Sequence, residues 1–421
     1  MPPAYDEIVL RRDVMRGTFQ AMADTKILIS GASVAGPALA FWLTRYGFQV
    51  TVVERAPSLR PGGQAVDLRG TAKEVARRMG LDERIRAACT DTKGETLVDR
   101  KNRTKATIRA DDFDGDGVVA EIEILRGDLT EVLYEATRER AEYVFGDRIT
   151  ALDERADGVG VTFASGSRAT YDLVIGADGL HSGVRALAFG EESRFVRHLG
   201  SYLAFFAVPN RLGLRNWAVG YDDVGRAAGI RGVRDGDQAM AYFGFASPKI
   251  DYDYRDVEAQ KALVRRFAAG MEWEAPWLLD RMDEAPDFYF DSCAQVIMES
   301  WSRGRVGLLG DAAFCPSPLS GQGTSLAFVG AYVLAGELAA GLDTGLKRYE
   351  AVMREFVEKT QELGRENAES IFAKSRTGLR MRYLAMRVMR LKPFAALASR
   401  KMRDVVNGIA LPDYPAPHSE D

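Results

Sequence analysis

The stretch Lys26-Ile-Leu-Ile-Ser-Gly-Ala-Ser-Val-Ala-Gly36 decides the fold. Lys26–Ser30 is an apolar run short enough for a buried strand; the loop GASVAG follows it, and PALAFWLTRYG after that has helical character. Beyond Gly47 the β-branched run of FQVTVVE predicts a second buried, parallel strand ending at Glu54. Strand, glycine loop, helix and strand make a βαβ unit, in which backbone N–H groups at the helix N-terminus receive a pyrophosphate. Gly31 permits the tight turn and Gly36 a close helix–strand crossing, while Ser33 stands where the G-x-G-x-x-G pattern has its second glycine. Glu54 lies 23 residues after Gly31. A carboxylate there accepts hydrogen bonds from ribose hydroxyls, which implies a free 2′-hydroxyl as in FAD or NAD. Taken alone, the degenerate loop also fits a plain tight turn of an α/β protein.

Two further strand ends carry loops of the same kind. In Asp172-Leu-Val-Ile-Gly-Ala-Asp-Gly-Leu-His-Ser-Gly-Val-Arg185 a buried strand runs into Asp178-Gly179, and a helix starts near Ser182. In the segment from Gly304 to Thr324, Asp311 follows a strand, and Gly321-Gln322-Gly323 opens a long helix whose N-terminus suits an anionic ring. If the three strands share one sheet, the three loops form one crevice.

The rest of the chain sets bounds. With 421 residues, 46% hydrophobic, 28% charged and a formal net charge of −4, it reads as a globular protein too large for one small domain and too acidic to call for nucleic acid. Three cysteines and three histidines without C-x-x-C spacing argue against a metal site or disulfide framework and for a reducing, cytoplasmic setting. No apolar run is long enough to span a membrane, and membrane contact is not expected. Residues 1–24 read as an N-terminal extension. From 200 to 300 the texture turns to aromatic and β-branched runs such as SYLAFFAVP and QAMAYFGFA, typical of an antiparallel sheet. The expected class is therefore α/β (α+β overall): a discontinuous Rossmann-like nucleotide domain with an inserted antiparallel β-sheet substrate domain and a C-terminal helical segment. The divisions are 25–95, 121–200 and 301–345 for the nucleotide domain, 96–120 and 201–300 for the substrate domain, and 346–421 for the C-terminal helices. Residues 374–403 carry ten Lys or Arg and no acid, which is read here as the solvated face of a helix bracing the two domains.

With these motifs in order, the sequence resembles the FAD-dependent aromatic-hydroxylase type of flavoprotein monooxygenases, the p-hydroxybenzoate hydroxylase family, and is most similar in look to its tetracycline-inactivating members. Gly62-Gly-Gln-Ala-Val-Asp-Leu-Arg69 and Glu123-Ile-Leu-Arg-Gly-Asp-Leu129 add to the resemblance. It implies FAD as cofactor and NADPH or NADH as transient electron donor. Gly31, Ser33, Val34, Ala35 and Gly36 would lie along the pyrophosphate, Glu54 on the adenosine ribose and Arg55 beside it. Asp67, Arg126 and Asp178 would contact the cofactor, Arg60 the NAD(P)H phosphate, Asp311 the ribityl chain, and Pro318, Gly321, Gln322, Gly323 and Thr324 the flavin ring. The sequence departs from the family at Phe314, Ser325 and Gly330, where a histidine, an asparagine and an aspartate are frequent.

The implied reaction uses NAD(P)H and O2 to hydroxylate, or oxidise in the Baeyer–Villiger sense, an aromatic or polycyclic polyketide-like small molecule such as a tetracycline-type compound, through a C4a-hydroperoxyflavin. The flavin carries the chemistry, so no protein group is singled out as catalytic. Tyr202, Phe206, Phe243 and Pro318 are the substrate-pocket candidates. His181, in the Asp-Gly turn, is read as structural rather than as a base. Two rivals remain: a flavoprotein of the same fold with reductase or oxidase chemistry, and a non-catalytic FAD- or ligand-binding protein. Monomer and dimer are both open.

Overall fold

The computed structural model describes residues 22–60, 62–113, 120–233 and 236–415; the extension up to residue 21 and most of the insert DDFDGDG lie outside them. Lys26–Ser30 sits inside a six-stranded sheet, flanked by Gln49–Glu54 and, on its other side, by Leu173–Gly176. Both pairings are parallel, as is that of Leu173–Gly176 with Val306–Leu308 and of Gln49–Glu54 with Glu142–Phe145; Ser302–Arg303 closes one edge antiparallel. The three loops quoted above therefore leave neighbouring strands at the same end. Burial on both faces explains the uninterrupted apolar runs: Ile27, Leu28, Ile29, Val174 and Ile175 are fully buried.

Helix Ala35–Arg45 crosses the first strand closely, because a Cβ on Gly36 would lie 1.9 Å from the carbonyl oxygen of Gly31. Helix Gly323–Ala339 is apolar all round and buried along its length, packed between Ala35–Arg45 and the long helix Leu342–Ser370.

The chain leaves this body twice to build a seven-stranded sheet. Gly94–Val98 and Thr104–Arg109 form one edge, and Val196–Pro209, Ala218–Asp223, Arg226–Gly232, Gln238–Ala246 and Tyr289–Val296 the rest. All its pairings are antiparallel except that of Gly94–Val98 with Ala218–Asp223. One face is covered by helices Val257–Ala268 and Ala275–Glu284, which the sequence reading did not separate from the strands. Asp256 caps the first of them by accepting the Ala259 N–H at 3.0 Å.

The helix expected over 374–403 is broken, as is the helical segment 71–88, which forms Thr71–Arg78 and Asp82–Ala87 with Gly80 between them at φ 72°. Residues 374–403 form Arg376–Met389 and Lys392–Val406, the second opened by Pro393, which suits a first helical turn and would break an interior.

Candidate cofactor and substrate site

Close backbone approaches bring the three motifs together. A Cβ on Gly31, whose φ is +111°, would meet the Ala177 carbonyl oxygen at 2.5 Å and Asp178 Cα at 3.0 Å, so the first loop leans on the second. A Cβ on Gly310 would lie 3.1 Å from that of Ala35, which sets the third loop beside the start of the first helix. Gly323 faces Asp311 and Gly321 faces Asp67, at 3.7 and 3.9 Å by the same construction. Arg126 is drawn in because its N–H donates to the Gln64 carbonyl at 3.0 Å and its guanidinium lies against Gly63.

Both Glu54 oxygens are engaged within the loop: one accepts the Ala32 N–H and the other the Ala56 N–H, each at 2.9 Å. Glu54 thus holds the loop's shape at the place where it would also receive a ribose. Arg55 and Arg60 are exposed beside it; partial desolvation of its guanidinium by the surrounding loop, then the neighbouring Arg55, keeps Arg60 below its ordinary pKa. Asp178 has local partners. Its carboxylate accepts from Ser182 Oγ, from the Val184 N–H at 3.1 Å and from Ser30 Oγ at 3.4 Å, tying the strand end to helix Gly183–Phe189, and burial raises its pKa.

The third motif forms a wall. Residues 312–317, Ser320, Gln322 and Ser325 are buried, yet Asp311, Pro318 and Gly321 among them are open to solvent. Asp311 is deep enough for burial to raise its pKa, with Cys315 and Arg126 opposing, and still accessible: it looks into a cleft. Gln322 is fully buried with neither amide atom hydrogen-bonded, and helix Gly323–Ala339 starts beside it without a side-chain cap. Orphaned polar atoms, uncapped N–H groups and an accessible carboxylate on one wall suit a flat, polar-edged group carrying a polyol chain. Burial and the adjacent Asp311 hold the Cys315 thiol protonated. The family departures are explained by packing: Phe314 lies against Trp301, Ser325 Oγ accepts the Arg69 N–H at 3.2 Å, and a Cβ on Gly330 would crowd Leu309 at 2.9 Å.

Facing this wall is the uncovered side of the large sheet. By register, Phe205, Tyr242, Arg231, Glu95, Asp222, Tyr289 and Asp291 share that side. The pocket candidates Tyr202, Phe206 and Phe243 do not: they are at most 2% exposed, in the core under helices Val257–Ala268 and Ala275–Glu284. The side-chain period of two sends them to the opposite face, and their immediate neighbours Phe205 and Tyr242 take the cleft side. Pro318 alone of the four lies on the open wall.

The cleft side carries a polar network that the sequence reading missed. Glu123 accepts from Thr90 and Thr92 at 2.6 and 2.7 Å and from Arg231. Burial opposes its ionisation, but Arg231 and the two hydroxyls hold its pKa below the usual range. Burial raises Glu95, whose carboxylate meets Tyr242 Oη at 3.4 Å. At the far end Asp222 and Arg382 approach to 3.2 Å as an ion pair, although neither facing atom is aligned for a hydrogen bond. Nearer the wall, His181 bridges Glu192 at 3.0 Å and Asp291 at 3.2 Å and stacks on Tyr254 at 4.0 Å. Burial alone would lower its pKa, but the two carboxylates outweigh it and push it up to about 9.

A parallel sheet with three ligand-ready loops at one end, facing a second sheet across a cleft, defines a dinucleotide-binding enzyme of Rossmann type. The chain belongs to the FAD binding domain family, whose profile matches residues 24–363, and it is an FAD-dependent monooxygenase. A flavin-dependent monooxygenase of Legionella longbeachae is 40% identical over 404 residues, spanning 92% of this chain and 98% of the relative. An uncharacterized protein of Mycobacterium tuberculosis is 47% identical over 345 residues, spanning 81% of this chain and 93% of its own. Among solved structures, tetracycline destructase Tet(51) superposes with a TM-score of 0.81 at 34% identity, covering 93% of this chain and 99% of that one.

Proposed function

We propose that this monooxygenase uses NAD(P)H and O2 to oxidise an aromatic or polycyclic polyketide-like molecule, of which a tetracycline-type compound is the leading example, in the cleft between the Asp311 wall and the large sheet. The observation that carries this reading is the pairing of an open strip, Asp311, Pro318 and Gly321, with a sheet face that offers three aromatic side chains, Phe205, Tyr242 and Tyr289, and a polar edge. The name of the similar tetracycline destructase supports the substrate class.

FAD, when bound, supplies the redox chemistry. In this reading Ser33, Val34, Ala35 and Gly36 would give backbone N–H groups to its pyrophosphate, Gly31, whose own N–H donates to the Val53 carbonyl at 2.8 Å, would let the chain approach it, and Glu54 would accept from the ribose. Asp311 accepts from the ribityl hydroxyls. Gln322, whose amide atoms have no hydrogen-bond partner, would hold the flavin ring together with Pro318, Gly321, Gly323 and Thr324, and Arg126 and Asp67 would contact the cofactor. Arg60 and Arg55 place positive charge where a dinucleotide phosphate passes, and Asp178 fixes the loop that approaches it. Phe205 and Tyr289 bound a flat substrate, while Tyr242, Glu95 and Arg231 bond its hydroxyl and carbonyl edge. The wall and the sheet face together would keep bulk water from the reacting carbon.

The test is a screen of aromatic and polycyclic compounds for stimulated NADPH consumption by purified, flavin-loaded protein, followed by mass measurement of the product. A gain of one oxygen is expected. A protein that retains no FAD after reconstitution, or an NADPH oxidation rate indifferent to every compound, would overturn the reading.

A further inference from the structure

Helix Arg376–Met389 has two apolar sides. Met386 and Met389 pack inward with Ile108 and Ala395, which is the single stripe a surface helix normally shows. On the opposite side Met381 and Leu384 lie at three-residue spacing, Leu391 is exposed at the break between the helices, and Phe394 and Leu397 are exposed at three-residue spacing on the next helix. These five are between 50% and 67% exposed. Elsewhere on the described surface the exposed large hydrophobics are Leu187, Val257 and Ile297, scattered and between 40% and 44% exposed. Isolated apolar residues on a surface are ordinary; a contiguous row is not.

The charge around the row is mostly of one sign, with Asp404 in helix Lys392–Val406 as the exposed exception. Three of the ten cations in 374–403 have carboxylate partners: Arg382 with Asp222, Arg390 with Asp112 and Lys401 with Glu366. Lys374, Arg376, Arg380, Arg400 and Arg403 are exposed and form no ion pair with the described residues. Long basic side chains beside an apolar row cover its flanks and keep their charged ends in the aqueous layer.

We infer that the helical pair 376–406 docks the enzyme reversibly on an anionic lipid surface, with the Leu384–Leu397 row entering the headgroup layer and the free cations pairing with lipid phosphates. No helix among the described residues is long and apolar enough to cross a membrane, so the attachment is interfacial. Charge decides against a second copy of this chain as occupant, because a two-fold contact would set one basic face against another. Docking would bring lipid next to the far end of the cleft, since Arg382 of the docked helix holds Asp222 on the cleft side of the sheet.

The full-length, FAD-loaded protein is floated with vesicles of phosphatidylcholine alone and of phosphatidylcholine mixed with phosphatidylglycerol. Binding to the mixed vesicles only, weakened by salt, is expected. Replacing exposed cations by R380Q, R400Q and R403Q together should lower the partition constant about a hundredfold. The triple variant L384S, F394S and L397S should lose binding while keeping FAD occupancy and melting temperature, which no interior role would allow. Absence of binding to the mixed vesicles, or undiminished binding by the serine variant, overturns the proposal. So does a dimer in solution that the serine variant splits, because a second copy then covers the row.

Discussion

Replacing Glu54 tests whether the pyrophosphate loop is shaped by the residue expected to hold the ribose. Its two oxygens accept the N–H groups of Ala32 and Ala56 at 2.9 Å, and both alanines are buried. A hydrogen bond to a charged group is worth about 1.5–3 kcal/mol net; since Glu54 is only half-buried, the low end applies. Glu54→Ala removes both bonds and should destabilise the apoprotein by about 3 kcal/mol. Glu54→Gln keeps one acceptor but turns an amide donor toward the other N–H, for a loss of about 1.5–2 kcal/mol. FAD affinity should fall in the same order, about tenfold for Gln and more for Ala, because a loosened loop must be ordered again on binding. Thermal unfolding of the apoproteins followed by FAD titration through flavin fluorescence quenching measures both. Weaker FAD binding with wild-type apoprotein stability would refute the reasoning, reducing Glu54 to a ligand contact. Unchanged values for both would remove Glu54 from the site.

Asp311→Ala takes away the accessible carboxylate of the wall and should lower FAD occupancy after gel filtration at least tenfold; occupancy equal to wild type would reject the role. Phe206→Ala should cost about 3–5 kcal/mol of stability through a core cavity, whereas Tyr242→Phe should leave stability nearly intact and raise KM for a substrate that stimulates NADPH oxidation. The reverse pattern would mean that the two faces of the sheet are assigned the wrong way round. His181 joins the two sheets as a cation whose pKa is raised in the folded state to about 9. Its stabilisation is therefore complete below its unfolded pKa of about 6.5 and is lost as pH rises through about 9, a difference of roughly 3 kcal/mol at most. The melting temperature of wild type should exceed that of His181→Gln at pH 6 to 7, and the gap should close above pH 9; a gap independent of pH would refute the clasp.

The three strand-to-loop motifs could be read from the chain because their constraints are local. Ile27 to Ile29 and Leu173 to Ile175 are apolar without a break since both sheet faces are covered, and Gly36 answers a clash with Gly31 in the same loop, although the clash that Gly31 avoids lies with Ala177 and Asp178 on the neighbouring strand end. The large sheet was legible as a sheet but not as two faces. Phe205 and Phe206, like Tyr242 and Phe243, are adjacent aromatics pointing opposite ways, and with both sides apolar the alternation has no polar phase to mark the cleft. The network of Glu95, Glu123, Asp222 and Arg231 was invisible for another reason: each residue comes from a different strand, and only register brings them together. The exposed row of the C-terminal pair escaped notice because Met386 and Leu384 look alike until packing separates inside from outside.

The order of strands also bears on how the protein is made. Val174 pairs with Leu28 on one side and with Val306 on the other, so the centre of the nucleotide sheet is assembled from segments synthesised far apart in time. The first βαβ unit leaves the ribosome early, with the open edge of Lys26–Ser30 waiting for Leu173–Gly176. The wall at Asp311 and Gly323 arrives on the order of tens of seconds after initiation. Pairings of such high contact order form slowly and leave apolar strand edges uncovered meanwhile. A chain stalled before Gly323 should neither load flavin nor stay soluble. Flavin supply would then act on yield only at the last step, after every strand of the sheet is in place.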